Sequence, residues 1–323
     1  MKSKKLCFGL ILFIVIFLVS CISKDTGLNI ENKAKVALVL KMNTGYHWGT
    51  IKQGADTAAR EFNVNLYFYA PLQEEDVEGQ INLVNQALDE NVDALILAAS
   101  DFKELVEVTE KAYDKKIPVI IIESLVDTDK IHSYIATDNL DAGRKAGNAL
   151  IEIAGPACNV AVMNFIKGTS NADDREKGLL EVIEDHPKIN VVAKEYCLSD
   201  INLASKLTKK IISENENLDA IVALNSISSE GVAQAVEEMG LAGKIKIIAF
   251  DSTTREIDYL EEGIIQATVI QNPFSMGYLG VKYAVEMLNG NKIDSYFNTE
   301  SKVITKENMY LKENQKLLFP FIK

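Results

Sequence analysis

The chain has 323 residues, 47% of them apolar and 25% charged, with a formal net charge of −12. That length accommodates two domains of ordinary size, and the composition is that of a globular chain. The acidic balance excludes a nucleic-acid partner, whose phosphates need a basic face, and excludes electrostatic adhesion to anionic lipid.

At the N-terminus, Lys2, Lys4 and Lys5 precede an unbroken apolar run from Leu6 to Val19. A charged segment followed by a short apolar one is the pattern of a secretory signal. The run falls short of the ~20 residues that a membrane-spanning helix needs. Leu18-Val19-Ser20-Cys21 resembles a bacterial lipobox, in which the cysteine receives lipid and becomes the first residue of the mature chain. Residues 1–21 are therefore expected to be a lipoprotein signal peptide, with lipidation at Cys21. The rest of the chain is expected outside the cytoplasm, anchored to the outer face of the cell membrane. An ordinary cleaved signal with an adventitious cysteine is the alternative. Residues 22–33 are polar and aperiodic, which predicts a tether.

From Lys35 a repeating pattern begins. The run Val36–Leu40 is continuously apolar, as in a strand covered on both faces. Residues 50–62 have helical periodicity. Strand 66–69, helix 74–89, strand 94–97, helix 104–115 and strand 119–122 follow, the last opened by Pro118, which suits a strand's first position. The alternation restarts with helix 140–153, strand 160–163, helix 175–184, strand 191–196, helix 203–213, strand 220–224 and helix 229–239. It ends with strand 245–250, helix 255–261, strand 267–270 and helix 274–288. Such alternation predicts α/β architecture with doubly wound parallel sheets, and the number of units predicts two of them. Of four cysteines, Cys7 and Cys21 fall in the leader. Cys158 opens one predicted strand and Cys197 closes the next. Parallel pairing would separate them by roughly 15–20 Å, too far for a disulfide.

No nucleophile elbow, phosphate-binding P-loop, dinucleotide fingerprint or histidine-rich metal pattern is present. His132 and His186 fall in predicted turns and read as solvated. The sequence thus predicts no catalytic residue, no metal and no cofactor. The positions just past the strands carry a different message, because open α/β sheets bind ligands beyond the carboxyl ends of their strands. They hold Tyr46, His47 and Trp48, then Glu123, then Arg175, and then Asn225, Asp251 and Gln271. Asp173 and Asp174 read as cap and first-turn acids. Carboxylates accept hydrogen bonds, guanidinium donates in a fixed fork and amides do both, while an aromatic ring suits the C–H face of a carbohydrate. Glu123 and Asp251 oppose Arg175, a balance that favours a neutral ligand.

Several pieces of the chain resemble bacterial sugar-binding proteins of the ribose, galactose and xylose type, the type I periplasmic binding proteins. They are Ile117-Pro118-Val119-Ile120, Ile135-Ala136-Thr137-Asp138-Asn139, Gly168-Thr169-Ser170 with Arg175 and Gly178, Ala223-Leu224-Asn225, Ala249-Phe250-Asp251 and Ala267-Thr268-Val269-Ile270-Gln271. The resemblance runs from about Ala34 to Asn298. It implies two lobes joined by a three-strand hinge near Thr137, Gln271 and Thr299. The N-terminal lobe would comprise 31–137 plus 272–298, and the C-terminal lobe 138–271 plus 299–323. It also implies sugar contacts from Arg175, Asn225, Asp251, Gln271 and an aromatic at Trp48. The chain departs from the pattern in its first lobe. Gly45 stands where ribose binders carry asparagine, His47 where they carry phenylalanine, and Glu123-Ser124 where they carry an Asp-Arg pair. The implied function is capture of a neutral pentose or hexose by a monomer that delivers it to the permease of an ABC transporter. Signalling to a membrane histidine kinase or chemoreceptor is the alternative. Xylose, ribose, galactose, an inositol or a furanose signalling molecule all remain open.

Overall fold

Runs of four or five apolar residues become strands here because helices cover both faces of each sheet. β3 (Ala94–Leu97), β4 (Val119–Ile122) and β8 (Ala220–Ala223) are buried at every residue. The computed structural model describes residues 33–319. The expected leader 1–21, its lipidation site Cys21, the tether up to residue 32 and the last residues 320–323 lie outside the described residues.

The first sheet also contains β1 (Lys35–Val39), β2 (Asn65–Tyr69), β5 (Ser133–Ala136) and β11 (Tyr296–Asn298), in the order β11-β5-β4-β3-β1-β2. Every pair in it is parallel. Helices α1 (Tyr46–Glu61), α2 (Val77–Asp89) and α3 (Val106–Asp114) connect its strands. Alternate residues of β1 serve opposite faces. Val36 and Leu38 pack with Ile51 and Ala55 of α1, while Ala37 and Val39 pack with Val84 and Leu88 of α2.

The second sheet repeats the plan with β6 (Asn159–Asn164), β7 (Asn190–Tyr196), β8, β9 (Lys246–Phe250), β10 (Ala267–Ile270) and β12 (Lys302–Thr305). Its order is β12-β10-β9-β8-β6-β7, and only β12 is antiparallel. Its helices are α4 (Asn139–Ala154), α5 (Ser170–Glu184), α6 (Ile201–Glu214), α7 (Ser226–Glu238) and α8 (Thr254–Glu262). In each sheet the chain reverses its direction of travel at the first strand, β1 or β6. That reversal opens the crevice where such folds bind ligands.

The chain passes between the sheets three times, after β5, after β10 and between β11 and β12. The first and third passages touch. The Thr137 and Thr299 hydroxyls are 3.5 Å apart, and Asn298 Oδ1 accepts from the Asp138 amide at 3.2 Å. The second passage leads into α9 (Pro273–Leu288), which packs on α1, just as α4 packs on α5. Both contacts need glycine. A Cβ on Gly277 would lie 1.9 Å from the Ile51 carbonyl, and one on Gly143 2.2 Å from the Arg175 carbonyl. A last helix, α10 (Lys312–Leu318), closes the described chain.

The structure corrects several expectations. The helix expected from residue 74 starts at Val77, capped by Asp76, which leaves Glu74 in the preceding loop. The helix expected from Arg175 starts five residues earlier, so Arg175 sits in its second turn, clear of the unpaired amides. Asp173 is a first-turn acid there, but the cap is Thr169. His132 and His186 are half-buried rather than solvated: His132 Nδ1 accepts from the Val119 amide at 3.0 Å, and His186 Nδ1 lies 2.9 Å from the Val182 carbonyl. Cys158 and Cys197 are buried and unpaired.

Candidate functional site

Two carboxylate residues that directly follow a strand stand out by their backbone. Glu123 follows β4 with φ +64° and Asp251 follows β9 with φ +76°. A side chain in the left-handed region costs ~1–3 kcal/mol and persists only where neighbours hold it. The Glu123 amide donates to Ile135 O at 3.0 Å. The Asp251 amide donates to Val269 O at 3.0 Å, and its carbonyl accepts from Thr268 Oγ1 at 2.6 Å.

Both residues line a cavity of about 380 Å³ whose walls come from both sheets. Tyr46, His47 and Trp48 reach it from the first turn of α1, Arg175 from α5, Asn225 from the start of α7 and Gln271 from the end of β10. All eight residues expected from the sequence thus meet at one place. Phe165, Ile201 and Ile227 supply apolar wall.

Asp251 is fixed from two sides, Oδ1 accepting from Gln271 Nε2 at 2.6 Å and Oδ2 from the Ser226 amide at 3.0 Å. Asn225 caps α7, its Oδ1 accepting from the Ser228 amide at 2.8 Å. Arg175 is 1% exposed. It donates to Asn139 Oδ1 at 2.9 Å and to Leu224 O at 2.7 Å, and its guanidinium lies 4.8 Å from the Phe250 ring centre. A guanidinium has five N–H donors, so others remain for a ligand.

Three buried residues complete the site and escaped the sequence reading: Lys41, Glu74 and Asn171. Lys41 Nζ lies 3.0 Å from Glu123 Oε2, 3.6 Å from Glu74 Oε1 and 3.3 Å from Asn171 Oδ1. Asn171 Nδ2 donates to Glu123 Oε1. Ser199 Oγ donates to Glu74 Oε2 at 2.6 Å. Lys41, Glu74 and Glu123 belong to the first sheet's half, Asn171 and Ser199 to the second's. The Phe102 amide likewise donates to Gly168 O at 3.1 Å, and the Leu125 amide to Ser170 Oγ at 2.7 Å. The two halves are therefore closed on each other around the cavity.

Burial raises the Glu123 carboxyl, but Lys41, then His47 and Arg175, outweigh it and hold the group below its ordinary value. Glu74 goes the other way. Burial raises it, and the more distant Lys41 with the Ser199 hydroxyl offsets only part. Glu256, buried in the first turn of α8, is raised well above the usual range by burial and then by Asp251. Among the described residues no group of three or more His, Cys, Asp or Glu is placed to hold a metal ion. Nor is any described helix long and apolar enough to cross a membrane.

Comparison with known proteins identifies the architecture. Residues 36–292 match the family model described as periplasmic binding protein domain. The D-allose-binding periplasmic protein of Escherichia coli (strain K12) is 26% identical over 268 residues, covering 80% of this chain and 86% of that protein. The crystal structure of an ABC transporter solute binding protein from Agrobacterium vitis with bound D-fucose superposes with a TM-score of 0.86 at 30% identity. The match covers 88% of this chain and 100% of that one. A chain of the XylFII-LytSN complex superposes with a TM-score of 0.81 at 26% identity, covering 85% of this chain and 98% of that one. The chain belongs to the periplasmic binding protein domain family, and it is a binding protein and not an enzyme.

Proposed function

We propose that this periplasmic binding protein captures a neutral monosaccharide between its two lobes and delivers it to an ABC transporter. One observation carries the reading: eight polar or aromatic side chains from distant parts of the chain line a single cavity closed between the two sheets. Desolvated donors and acceptors of both kinds, beside the Trp48 ring, suit a polyol. A ligand lacking one hydroxyl leaves such a group unpaired, which is how the site would discriminate. Names of relatives support the class, since they include allose-, ribose- and xylitol-binding proteins.

The lobes would be 31–137 plus 272–298 and 138–271 plus 299–323, swinging at Thr137, Gln271 and Thr299. Closure follows because a ligand touching both lobes binds the closed state better than the open one. Lipid on Cys21 would hold the protein at the outer face of the membrane. A second use of the same closed form would be reporting sugar to a membrane sensor; the likeness to a chain of the XylFII-LytSN complex supports assembly with another protein. Co-purification from solubilised membranes separates the two, by yielding a permease and its ATPase or a sensor.

A thermal-shift screen tests the reading with D-ribose, D-allose, D-arabinose and D-fucose, and with glucuronate and glucose 6-phosphate as charged controls. Ligand at a thousandfold its dissociation constant adds ~4 kcal/mol, a rise of about 8 °C at about 2 °C per kcal/mol. At least one neutral sugar should produce it, the charged compounds should not, and Asp251→Ala should abolish it. No shift with any neutral sugar, or an unchanged shift in Asp251→Ala, defeats the reading.

A further inference from the structure

At one place among the described residues, two adjacent residues other than glycine both enter the left-handed region. They are Leu198 and Ser199, with φ +51° and +50°, in the loop between β7 and α6. Neither residue type favours that conformation, which persists only where its surroundings impose it. The pair is tied down on both sides. The Cys197 and Leu198 amides donate to Asn164 O and Phe165 O at 3.0 Å each. The Asp200 amide donates to Cys197 O at 2.9 Å, and Asp200 itself caps α6.

This turn carries the Ser199 hydroxyl to the other half of the molecule. Ser199 Oγ donates to Glu74 Oε2 at 2.6 Å, joining residues 125 positions apart. Glu74 is 4% exposed, and its other oxygen faces Lys41 at 3.6 Å. On its own side, Ser199 Oγ accepts a weak bond from Asn225 Nδ2 at 3.4 Å. Glu74 and Asn225 line the cavity and Ser199 does not. The hydroxyl thus stands behind the wall, between one wall residue of each half. Opening the halves returns Glu74 to water, which takes the place of the serine. Closing them without the Ser199 hydroxyl would bury Glu74 Oε2 without that donor, a cost that falls on the closed form alone.

We propose that Ser199 is a positioning residue for capture, latching the second lobe to Glu74 of the first and lengthening the stay of any sugar that closes them. The inference rests on the monosaccharide reading above. A bond made only in the closed form strengthens every closing ligand by one factor, whichever hydroxyls that ligand carries. It acts on release, because the lobes must part before the sugar leaves. A residue that touches the sugar discriminates one ligand from another instead.

Isothermal titration of the wild type, Ser199→Ala, Glu74→Met and the double variant tests the latch, with each of D-ribose, D-allose, D-arabinose and D-fucose that binds the wild type. Ser199→Ala should weaken each of them by about 10-fold. In the Glu74→Met background the same substitution should change affinity by less than about 2-fold. Stopped-flow fluorescence of Trp48, the one tryptophan, should place the loss in dissociation, with association altered by less than about 3-fold. Ser199→Gly, which tolerates the positive φ, and Glu74→Ala replace either variant that circular dichroism shows unfolded. Unchanged affinity in Ser199→Ala overturns the latch while leaving sugar binding intact. So does a loss of about 10-fold that persists in Glu74→Met, which would assign Ser199 to the support of Asn225, and so does a loss carried wholly by association. Absence of binding by all four sugars removes the function and the latch together.

Discussion

Lys41→Met is the sharpest probe of how the site is held. Lys41 is wholly buried, beside two carboxyl groups at 3.0 and 3.6 Å and 5.8 Å from the Trp48 ring centre. Methionine keeps the apolar stem and removes the charge. Glu123 is then a buried carboxylate facing Glu74 without its nearest cation. Breaking a buried pair from one side costs ~3–5 kcal/mol, a drop in melting temperature of about 6–10 °C at about 2 °C per kcal/mol. The pH dependence identifies the cause. Glu123 is held below its ordinary value, so its ion pair stabilises the fold above the unfolded value of about 4.3. That contribution is lost as pH falls through the folded value. In Lys41→Met the same carboxyl loses its largest opposing charge, and burial favours its protonated form. The deficit should be full at pH 7.5 and much smaller at pH 4.5, read by urea denaturation at both. A variant within 1 kcal/mol of wild type at pH 7.5, or an equal deficit at both pH values, would refute the electrostatic account of this cluster.

Glu256 tests the opposite sign. Its carboxyl is raised well above the usual range, so its stabilising share is complete below the unfolded value and is lost as pH rises through the folded one. Glu256→Gln should flatten the fall of melting temperature between pH 5 and pH 9, and an unaltered slope counts against the assignment. Gly143→Ala should push α4 off the Arg175 backbone, since the new Cβ would lie 2.2 Å from the Arg175 carbonyl oxygen. Overpacking costs ~1–3 kcal/mol against ~1 kcal/mol returned by helix propensity, so the melting temperature should drop by a few degrees. Sugar affinity, read by titration calorimetry, should drop as well because Arg175 moves. Gly240→Ala, where no atom lies within 4 Å of the new Cβ but φ is +66°, should destabilise without touching affinity.

The sequence disclosed whatever depends on strand ends. Glu123, Asn225, Asp251 and Gln271 are each the first strongly polar residue after an apolar run, and that pattern places them at the carboxyl edge of a parallel sheet. Lys41 obeys the same rule, directly after Leu40, but a lone lysine at the edge of a polar loop has the same pattern as a solvated strand end. Glu74 was hidden inside an expected helix, because the periodicity extends three residues ahead of Val77, where the helix starts after its cap at Asp76. Asn171 lies directly after Gly168-Thr169-Ser170 and carries no signal of its own. β11 reads Tyr-Phe-Asn and is exposed throughout, so no alternation announces it. The hydrogen bond from Lys41 to Asn171 that helps close the lobes joins residues 130 positions apart, a separation beyond the reach of local pattern.

The threefold passage between sheets also governs the order in which the molecule can be finished. The first lobe lacks α9, the cover of α1, and its edge strand β11 until residue 298 has been made. The second has every strand but β12 by residue 270. The half encoded first therefore becomes self-sufficient last, and a ribosome-bound chain of 270 residues carries a nearly finished rear half behind an uncovered front one. A truncation before Pro273 strips the front half of the helix that seats on Gly54, and with it the support beneath Tyr46, His47 and Trp48.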